Sequence, residues 1–372
     1  MANAPATSQE QPEEPIPIPP HLDGVAYLYG HPLLNSLSPL LHQTIYDALN
    51  LRWAQFPLSS VYGTSDTYPP PYTRSPSVDK FIASIRANAK FVGSSVTMPR
   101  KVSIMAHLDE LTEEASHIGA CNTIFLRHRH GKKLLVGTNT DCIGIREAIL
   151  QNTHAASSSS TTTTGDKSDE ADTERAEEDP PYASKPGLII GGGGTARAAV
   201  YAMRKWLKCS KIYIVNRDPQ EIKQILSEDA QRSDPRLRTI PIIAISDPAE
   251  AARVEMPAVV VSAIPNYPPR TPEEVRTRMI VQAFLARELK GVFLEMCYHP
   301  VPWTELAGLA ESAGWKVILG QEAMLWQGLE QARLWTGTDV VAVPGLVQKV
   351  KDVLAKAIES KTTPRRSSRS SL

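Results

Sequence analysis

The stretch PGLIIGGGGTARAAV, residues 186–200, decides how the second half of the chain folds. Residues 187–190 form a short apolar run that predicts a buried strand, and the glycines that follow end it in a turn. From there to roughly Leu207 the residues favour a helix. A strand, a glycine turn and a helix in this order are typical of a nucleotide-binding βα unit, although an ordinary βα turn has the same pattern.

The small residues of this stretch have separate physical roles. Gly191 permits the tight turn, Gly193 removes a side chain so that the backbone can approach a pyrophosphate, and Ala196 allows close packing of helix and strand. The exposed N–H groups and the helix dipole favour phosphate oxygens. The predicted phosphate-binding residues are Gly191, Gly192, Gly193, Gly194, Thr195 and Ala196.

The next predicted strand, residues 211–215, ends where such folds distinguish a ribose hydroxyl from a phosphate. Asp218 can accept hydrogen bonds from the ribose hydroxyls, a role compatible with capping the next helix, and Glu221 joins it in repelling a 2′-phosphate. Arg217 acts in the opposite direction, because a guanidinium suits phosphate. One arginine against two carboxylates favours NAD over NADP, with Asn216 as a further cofactor-binding residue of this turn.

Strands and helices alternate along the rest of the chain, which indicates the α/β class. Later strands are predicted at residues 259–265 and 291–296, and their carboxyl ends should lie at the ligand-binding edge of a parallel sheet. The first half is predicted to contain strands at residues 25–30 and 91–98, helices at 39–51, 81–88 and 108–118, and a hairpin of residues 123–127 and 133–137.

Composition restricts the class of function. A chain of 372 residues predicts two domains. Lys+Arg and Asp+Glu are both 40, and the resulting net charge of zero argues against binding to nucleic acid or to an anionic membrane. The four cysteines are scattered, so neither a metal site nor a disulfide framework is predicted. The first residues have no signal-peptide pattern, which favours a cytoplasmic protein.

Three segments are too polar to build a core and are predicted to be disordered. They are residues 1–20, the acidic and Ser/Thr-rich residues 151–184, and the basic residues 359–372. The segments that remain are a first domain (21–150), a second domain (185–320) and a final helical segment (321–358). A regulatory role is the alternative to a plain linker for residues 151–184.

Two short strings carry residue types suited to proton transfer. VTMPRK, residues 96–101, ends on Lys101, and NTD, residues 139–141, ends on Asp141. Oxidation of a secondary alcohol requires a group that removes the hydroxyl proton. Lys101 can take that proton, or it can stay charged and stabilise the alkoxide while the proton leaves through Asp141 or water. A surface ion pair is the alternative interpretation of the two residues.

Several strings, in this order, resemble the shikimate/quinate dehydrogenases over residues 24–337. Residues 262–265 and 295–300 are most similar to the fungal quinate-type branch. The strings are SLSPLLH (36–42), VTMPRK (96–101), GACNT (119–123), NTDCIG (139–144), the glycine turn (191–194), NR (216–217), YHP (298–300), residues 320–327 and WTG (335–337).

The resemblance implies an amino-terminal α/β substrate domain, a Rossmann-type doubly wound NAD(P) domain and a carboxyl-terminal helix that returns to the first domain. It implies Lys101 and Asp141 as the catalytic pair and no metal. Ser36 and Ser38 would bind the substrate carboxylate, although Ser38 also suits a helix cap. The resemblance assigns ring hydroxyls to Thr97, Asn122, Asp141 and Gln327, places Tyr298 near substrate and nicotinamide, and adds Ile264 and Gly320 to the cofactor-binding residues.

Three departures from the family pattern bear on the preferred substrate. Ser95 stands where the family usually has Asn, and Glu295 stands where it usually has Asp. The spacing from Pro300 to Thr304 is one residue longer than is common.

The predicted function is the reversible oxidation of quinate to 3-dehydroquinate, or of shikimate to 3-dehydroshikimate, with hydride transfer to NAD. One alternative is an NADP-dependent biosynthetic shikimate dehydrogenase. The alternative from another class is a catalytically silent sensor of quinate or shikimate, which retention of Lys101 and Asp141 disfavours. A small-molecule substrate is the predicted partner, and both a monomer and a homodimer remain open.

Overall fold

The computed structural model describes residues 12–33, 36–60, 73–157, 179–231, 240–298 and 302–362. Contacts divide the chain into two units, each built on its own six-stranded sheet. The first unit comprises residues 1–116, 120–138 and 328–372, and the second comprises residues 117–119 and 139–327. The division therefore falls at residues 138 and 139, before the low-complexity segment rather than within it.

Up to residue 138 the chain forms the first sheet and its covering helices. The sheet order is β2-β1-β3-β5-β6-β4, in which β1 is parallel to β2 and β3 and the predicted hairpin of β5 and β6 is confirmed as antiparallel. The elements are β1 (Gly24–Tyr29), α1 (Ser38–Ala48), β2 (Trp53–Pro57), α2 (Val78–Ala87), β3 (Phe91–Val96), a 3₁₀ turn (Ser103–His107), β4 (Glu110–Leu111), α3 (Glu113–Ile118), β5 (Thr123–Arg129) and β6 (Lys132–Thr138).

The second sheet has the order β12-β11-β10-β7-β8-β9, and all its strands are parallel. The strand order reverses between β7 and β10, which is where doubly wound sheets bind ligands beyond the strand ends. The elements are α4 (Asp141–Ser157), β7 (Gly187–Ile190), α5 (Gly194–Lys205), β8 (Ile212–Val215), α6 (Pro219–Ala230), β9 (Ile242–Ala244), α7 (Pro248–Arg253), β10 (Val259–Ser262), α8 (Pro272–Leu285), β11 (Val292–Glu295), α9 (Glu305–Ser312) and β12 (Lys316–Leu319). The predicted α/β fold class is confirmed.

Two further helices, α10 (Gly320–Thr336) and α11 (Leu346–Thr362), end the described chain. Residues 328–372 belong to the first unit, so the predicted return of the carboxyl-terminal helix is confirmed. The indole of Trp335 donates to the Ile124 carbonyl at 3.0 Å. A Cβ at Gly93 would lie 2.1 Å from the Trp335 ring nitrogen, so the glycine makes room for the indole against β3.

The predicted helix over residues 108–118 is wrong in its first part. Residues 110–111 form strand β4 beside β6, and the helix begins only at Glu113. Asp109 explains the change, because its N–H donates to the Leu135 carbonyl at 3.0 Å and its carboxylate accepts from the Leu135 N–H at 2.7 Å. These bonds attach the segment to the sheet before a helical turn can form.

Parts of all three segments predicted to be disordered are ordered. In the last of them, residues 359–362 belong to α11, which extends to Thr362. Helix α4 extends to Ser157, and Tyr182 is buried, with its hydroxyl 2.6 Å from that of Thr153. Near the amino terminus, Glu13 binds Lys80 and the N–H of Ser77. Residues 1–11, 158–178 and 363–372 lie outside the described residues, so disorder there stays a prediction.

Candidate active site

The VTMPRK string begins at the carboxyl end of β3 in the first unit. The N–H of Val96 donates to the Asn122 carbonyl at 2.6 Å, and the N–H of Cys121 donates to the Lys101 carbonyl at 2.7 Å. These backbone bonds fasten the segment that contains Thr97 and Lys101 to the segment that contains Asn122. Asn122 is buried, while Thr97 and Lys101 are half-buried. Three predicted site residues therefore come together at one end of the first sheet.

Ser36 and Ser38 lie at the start of α1. The hydroxyl of Ser38 donates to Gln55 Oε1 at 2.8 Å, and Ser36 Oγ accepts from the Ser38 N–H at 3.3 Å. The N-cap residue of α1 is Leu37, whose side chain forms no capping hydrogen bond. The alternative role of Ser38 as a helix cap is therefore wrong.

A chain of hydrogen bonds continues from Ser38 through the interior of the first unit. It ends on Asn122, so it joins two of the predicted substrate-binding residues. Buried polar side chains connected in this way hold one another in fixed orientations. The remaining bonds are Gln55 Nε2 to Ser95 Oγ (3.0 Å), Ser95 Oγ to Gln331 Oε1 (2.9 Å), Gln331 Nε2 to Thr123 Oγ1 (2.9 Å) and Thr123 Oγ1 to Asn122 Oδ1 (2.7 Å).

His42 packs beside this chain and is fully buried. Its Nε2 lies 3.1 Å from Gln331 Oε1. Burial lowers the pKa of His42 to about 4, and the bond to Gln331 acts in the opposite direction. The ring is therefore neutral at neutral pH, with its Nε2–H donating to Gln331.

In the second unit, Asp141 is the first residue of α4 and is buried. Its N–H donates to Asn139 Oδ1 at 3.0 Å, a bond that fixes the start of the helix. One turn later, a Cβ at Gly144 would lie 2.4 Å from the Ala323 carbonyl oxygen and 3.2 Å from the Cβ of Gln327. The glycine lets α4 and α10 approach closely, and this brings Gln327 to the same end of α4 as Asp141.

Tyr298 follows β11 in the same unit. Burial raises the pKa of Tyr298 to about 12, and the negative charge of nearby Asp141 acts in the same direction. The phenol is therefore protonated at neutral pH and can donate a hydrogen bond. The second unit thus gathers Asp141, Tyr298 and Gln327. Lys101 belongs to the first unit, so its pairing with Asp141 stays a prediction.

Two of the strings that carry the family resemblance, YHP (298–300) and residues 320–327, are described to different extents. His299 and Pro300 of the YHP string lie outside the described residues. Gly320 begins α10, and a Cβ there would lie 2.4 Å from the Met296 carbonyl oxygen. This contact gives Gly320 a packing role, and its predicted role in cofactor binding stays a prediction.

The glycine turn combines a positive φ at Gly191 with an exposed helix start at Gly193. Gly191 has a φ of 127°, and a Cβ there would lie 3.0 Å from the Ala263 carbonyl oxygen and 3.4 Å from Ile264. Gly193 is the N-cap of α5, is exposed, and would present an added Cβ to open space. Ala196 is fully buried, as close packing of helix and strand requires. The amino terminus of α5, where Gly194 and Thr195 begin the helix, is therefore open to an anion.

Polar side chains after β8 surround the predicted ribose position. Asp218 caps α6 by accepting from the Gln220 N–H at 2.8 Å. Asn216 Nδ2 donates to Glu221 Oε2 at 2.6 Å, and this carboxylate lies over Gly192, where a Cβ would be 2.5 Å from it. The turn that follows β8 is therefore acidic on the side that faces the glycines.

Glu295, the last residue of β11, is a buried carboxyl near this end of the sheet. It accepts hydrogen bonds from the Cys297 N–H at 3.1 Å and from the Thr304 hydroxyl at 2.8 Å. Burial raises the pKa of Glu295 to about 7. A substantial protonated fraction is therefore present near neutral pH.

Comparison with known proteins shows the family of this chain. The family description "Shikimate dehydrogenase substrate binding domain" matches residues 28–124. A relative named quinate dehydrogenase, from Emericella nidulans, is 55% identical over 355 residues, which are 94% of this chain and 98% of the relative. The chain belongs to the shikimate/quinate dehydrogenase family. As a member of that family it is an oxidoreductase that acts on a CH–OH group.

Two solved structures share the fold. The dehydroquinate dehydratase and shikimate dehydrogenase of S. pombe AroM is 30% identical, with a TM-score of 0.60 over 88% of this chain and 53% of that one. The quinate dehydrogenase from Corynebacterium glutamicum in complex with NAD has a TM-score of 0.63 at 16% identity, over 90% of this chain and 99% of that one. At 16% identity, the similarity to the Corynebacterium glutamicum structure shows a shared fold alone.

Within the described ranges, no group of His, Cys, Asp and Glu could hold a metal ion. In the same ranges, no helix combines the length and apolarity needed to cross a membrane.

Sequence analysis missed three residues that hydrogen bonds or an ion pair connect to predicted site residues. Gln55 and Gln331 extend the hydrogen-bond chain from the serines, and Glu274 forms an ion pair with Arg217. The capping-box pattern from Thr271 to Glu274 predicts a helix start, which the structure has, but it does not indicate the arginine. Neither glutamine carries a local signal, since each is distant in sequence from its partners.

Proposed function

We propose that this chain oxidises the ring hydroxyl of quinate reversibly to 3-dehydroquinate, with NAD as the hydride acceptor. The observation that carries the proposal is the 55% identity to a protein named quinate dehydrogenase across 94% of this chain. The matched region is 94% of this chain, so the likeness covers residues of both units.

We propose Lys101 and Asp141 as the catalytic pair. A secondary alcohol loses its hydroxyl proton as hydride leaves the carbon. A nearby side chain must therefore accept this proton or stabilise the negative charge that develops on the oxygen. Asp141 is buried beside Tyr298 and Gln327, and Lys101 is half-buried next to Asn122. We propose that both groups act on one hydroxyl, with the proton taken by Lys101 or leaving through Asp141 or water.

The cofactor would be held by the glycine turn and the turn after β8. NAD, when bound, supplies a nicotinamide ring that accepts hydride. The open amino terminus of α5 at Gly193 suits its pyrophosphate, and the carboxylate of Asp218 suits its ribose hydroxyls. Glu221 adds negative charge over Gly192, which disfavours the extra phosphate of NADP.

The decisive experiment is a spectrophotometric assay of the purified chain with quinate or shikimate, each with NAD or NADP. The expected result is the highest kcat/KM with quinate and NAD. Shikimate is included because the S. pombe relative carries the name shikimate dehydrogenase. Folded protein that oxidises neither acid with either cofactor would contradict the proposal.

The cofactor part has its own test. Asp218→Ser keeps a side chain that caps α6 but removes the negative charge. Its use of NADP should rise relative to NAD. A wild-type protein that already prefers NADP would contradict the NAD assignment while leaving the dehydrogenase assignment intact.

A further inference from the structure

One buried carboxyl group binds the chain on both sides of Tyr298. Glu295 is the last residue of β11 and is 1% exposed. Its Oε1 accepts from the Cys297 N–H at 3.1 Å, and its Oε2 accepts from the Thr304 hydroxyl at 2.8 Å. Cys297 directly precedes Tyr298, and Thr304 follows it by six positions. A single side chain therefore fixes the segment that carries Tyr298 at two points.

Both partners of Glu295 act as donors. The N–H of Cys297 can only donate. The Thr304 hydroxyl accepts from the Ala307 N–H at 3.1 Å as the N-cap of α9, and its one proton is directed to Glu295. Position 295 must therefore supply two acceptor oxygens. A carboxyl group has both in either protonation state, whereas a carboxamide has one.

Tyr298 lies near a predicted catalytic residue of the same unit. Burial raises the pKa of Tyr298, and the negative charge of Asp141 adds to this effect, so the phenol is close to that carboxylate. The N–H of Met296 donates to the Ser262 carbonyl at 2.8 Å, so the sheet fixes the chain up to Met296. Glu295 fixes the chain one residue further, next to the phenol. A shift of the backbone there would move the phenol relative to Asp141.

Two departures from the family pattern meet in the contact with Thr304. Glu295 stands where the family usually has Asp, and its carboxyl group therefore reaches one methylene further. The spacing from Pro300 to Thr304 is one residue longer than is common. The longer side chain meets the hydroxyl at the end of the longer segment, at 2.8 Å. An aspartate at position 295 would have a shorter reach and would lose this bond.

We propose that Glu295 is a positioning residue for Tyr298, with a side-chain length matched to the longer segment that leads to Thr304. The inference rests on the proposed function, in which Tyr298 lies near substrate and nicotinamide. Glu295 acts on the reaction through the backbone that it holds. A displaced phenol should impair turnover of the acid and leave the affinity for the cofactor unchanged.

Glu295→Asp provides the first test, because it keeps the carboxyl group and shortens the side chain. It should lower kcat/KM for quinate about tenfold, as expected for loss of one hydrogen bond to a carboxyl group. The affinity for NADH should remain at the wild-type value. The assay is run at a temperature at which circular dichroism shows that the variant is folded. A folded Glu295→Asp protein with the wild-type kcat/KM would overturn the inference.

The matched lengths allow a compensating test. Deletion of Pro302 gives the segment the common spacing, and by itself it should also lower kcat/KM for quinate. The double variant, Glu295→Asp with Pro302 deleted, should exceed each single variant by roughly threefold or more, because the shorter side chain then meets the shorter segment. Unrelated structural damage would accumulate and make the double variant the least active of the three. A double variant no better than Glu295→Asp would overturn the inference.

Thr304 decides if either single variant does not fold. Thr304→Gly removes the hydroxyl, and glycine remains an acceptable N-cap for α9. It should lower kcat/KM for quinate about tenfold, whereas Thr304→Ser should retain it. Asp247→Gly is the matched control, because it removes the side-chain cap of α7 in the same unit and should leave kcat/KM unchanged. Equal values for Thr304→Gly and Thr304→Ser would overturn the inference.

Failure of the proposed function has a different result. A wild type that oxidises neither quinate nor shikimate contradicts the proposed function, and calorimetric binding of quinate to the same variants then tests the inference. A wild type that oxidises quinate, together with an equally active Glu295→Asp, overturns only the inference.

Discussion

The guanidinium of Arg217 donates to the carboxylate of Glu274, which lies 57 positions further along the chain. Glu274 also accepts from the N–H groups of Arg270 and Thr271, at 2.8 and 3.1 Å. These backbone bonds, followed by the bond from Arg217, lower the pKa of Glu274 to about 2. Glu274 is therefore ionised at neutral pH and engages the cation that would otherwise suit a 2′-phosphate.

The first prediction concerns this ion pair. Glu274→Gln should raise kcat/KM with NADP relative to NAD by roughly threefold to tenfold, because it releases Arg217 to pair with phosphate. Glutamine also completes a capping box, so the helix start at Thr271 should be preserved. The measurement is the ratio of the two kcat/KM values.

Two variants show whether the effect passes through the arginine. Glu273→Gln removes a carboxylate from the same helical turn and should leave the cofactor ratio near that of the wild type. The double variant Arg217→Gln/Glu274→Gln should show no gain with NADP. A gain that persists without Arg217 would mean that Glu274 acts by its charge alone.

The second prediction concerns Lys101. Lys101→Ala should lower kcat about 10²- to 10⁴-fold, the usual contribution of a positioned acid–base group. The affinity for NADH, measured by the fluorescence of the bound cofactor, should remain near the wild-type value. Lys80→Ala, which removes a surface lysine of the same unit, should not change kcat. Wild-type turnover in Lys101→Ala would exclude the lysine from the chemistry.

The third prediction distinguishes two glycines. Gly193→Ala should leave the melting temperature unchanged, because its Cβ would meet nothing within 4 Å, and should raise KM for NAD about tenfold by obstructing a phosphate contact. Gly308→Ala in α9 is the control, since its Cβ would have one ordinary contact and no predicted ligand nearby. An unchanged KM in Gly193→Ala would contradict close approach of the cofactor at this turn.

The fourth prediction concerns the dependence of stability on pH. The pKa of Glu295 is raised from 4.5 to about 7, so the folded state holds this proton more tightly than the unfolded state. The contribution of this proton to the free energy of unfolding is fully present below about pH 4.5 and is lost as the pH rises through about 7. Across this pH range, the free energy of unfolding of the wild type should fall by up to about 3 kcal/mol relative to that of Glu295→Gln.

Denaturant unfolding at several pH values measures this difference. Glu311→Gln, an exchange at an exposed position of α9, controls for the loss of one carboxylate and should follow the wild-type profile. Parallel profiles for the wild type and Glu295→Gln would show that the Glu295 carboxyl does not couple folding to protons in this range.

Local signals in the sequence predicted much of the fold. The apolar run before Gly191 and the glycines after it specify a βα turn, because only a few residue types tolerate that geometry. The failure at residues 108–118 arose from tertiary structure, since Asp109 binds the distant strand residue Leu135. A helical pattern does not show that a neighbouring strand will compete for the same backbone groups.

The candidate site could be proposed from the sequence where one residue type suits the chemistry, as at Lys101, Asp141 and the glycine turn, and these roles stay predictions. It was not predictable where the role depends on a partner from another part of the chain. Gln331 acts through Ser95 and Thr123, and each of these bonds joins residues more than two hundred positions apart. The suitability of Arg217 for phosphate follows from its residue type, but its pairing with Glu274 depends on the folded arrangement.

The hydrogen-bond chain from Ser38 to Asn122 has an evolutionary consequence. Ser95 is shorter than the asparagine that is common at its position, and Gln55 and Gln331 reach it from either side. Loss of the Ser95 hydroxyl alone would remove one hydrogen bond from each of two buried carboxamides, which is costly. Descendants of this chain should therefore change positions 55, 95 and 331 jointly, and the three positions should covary among relatives as one inherited unit.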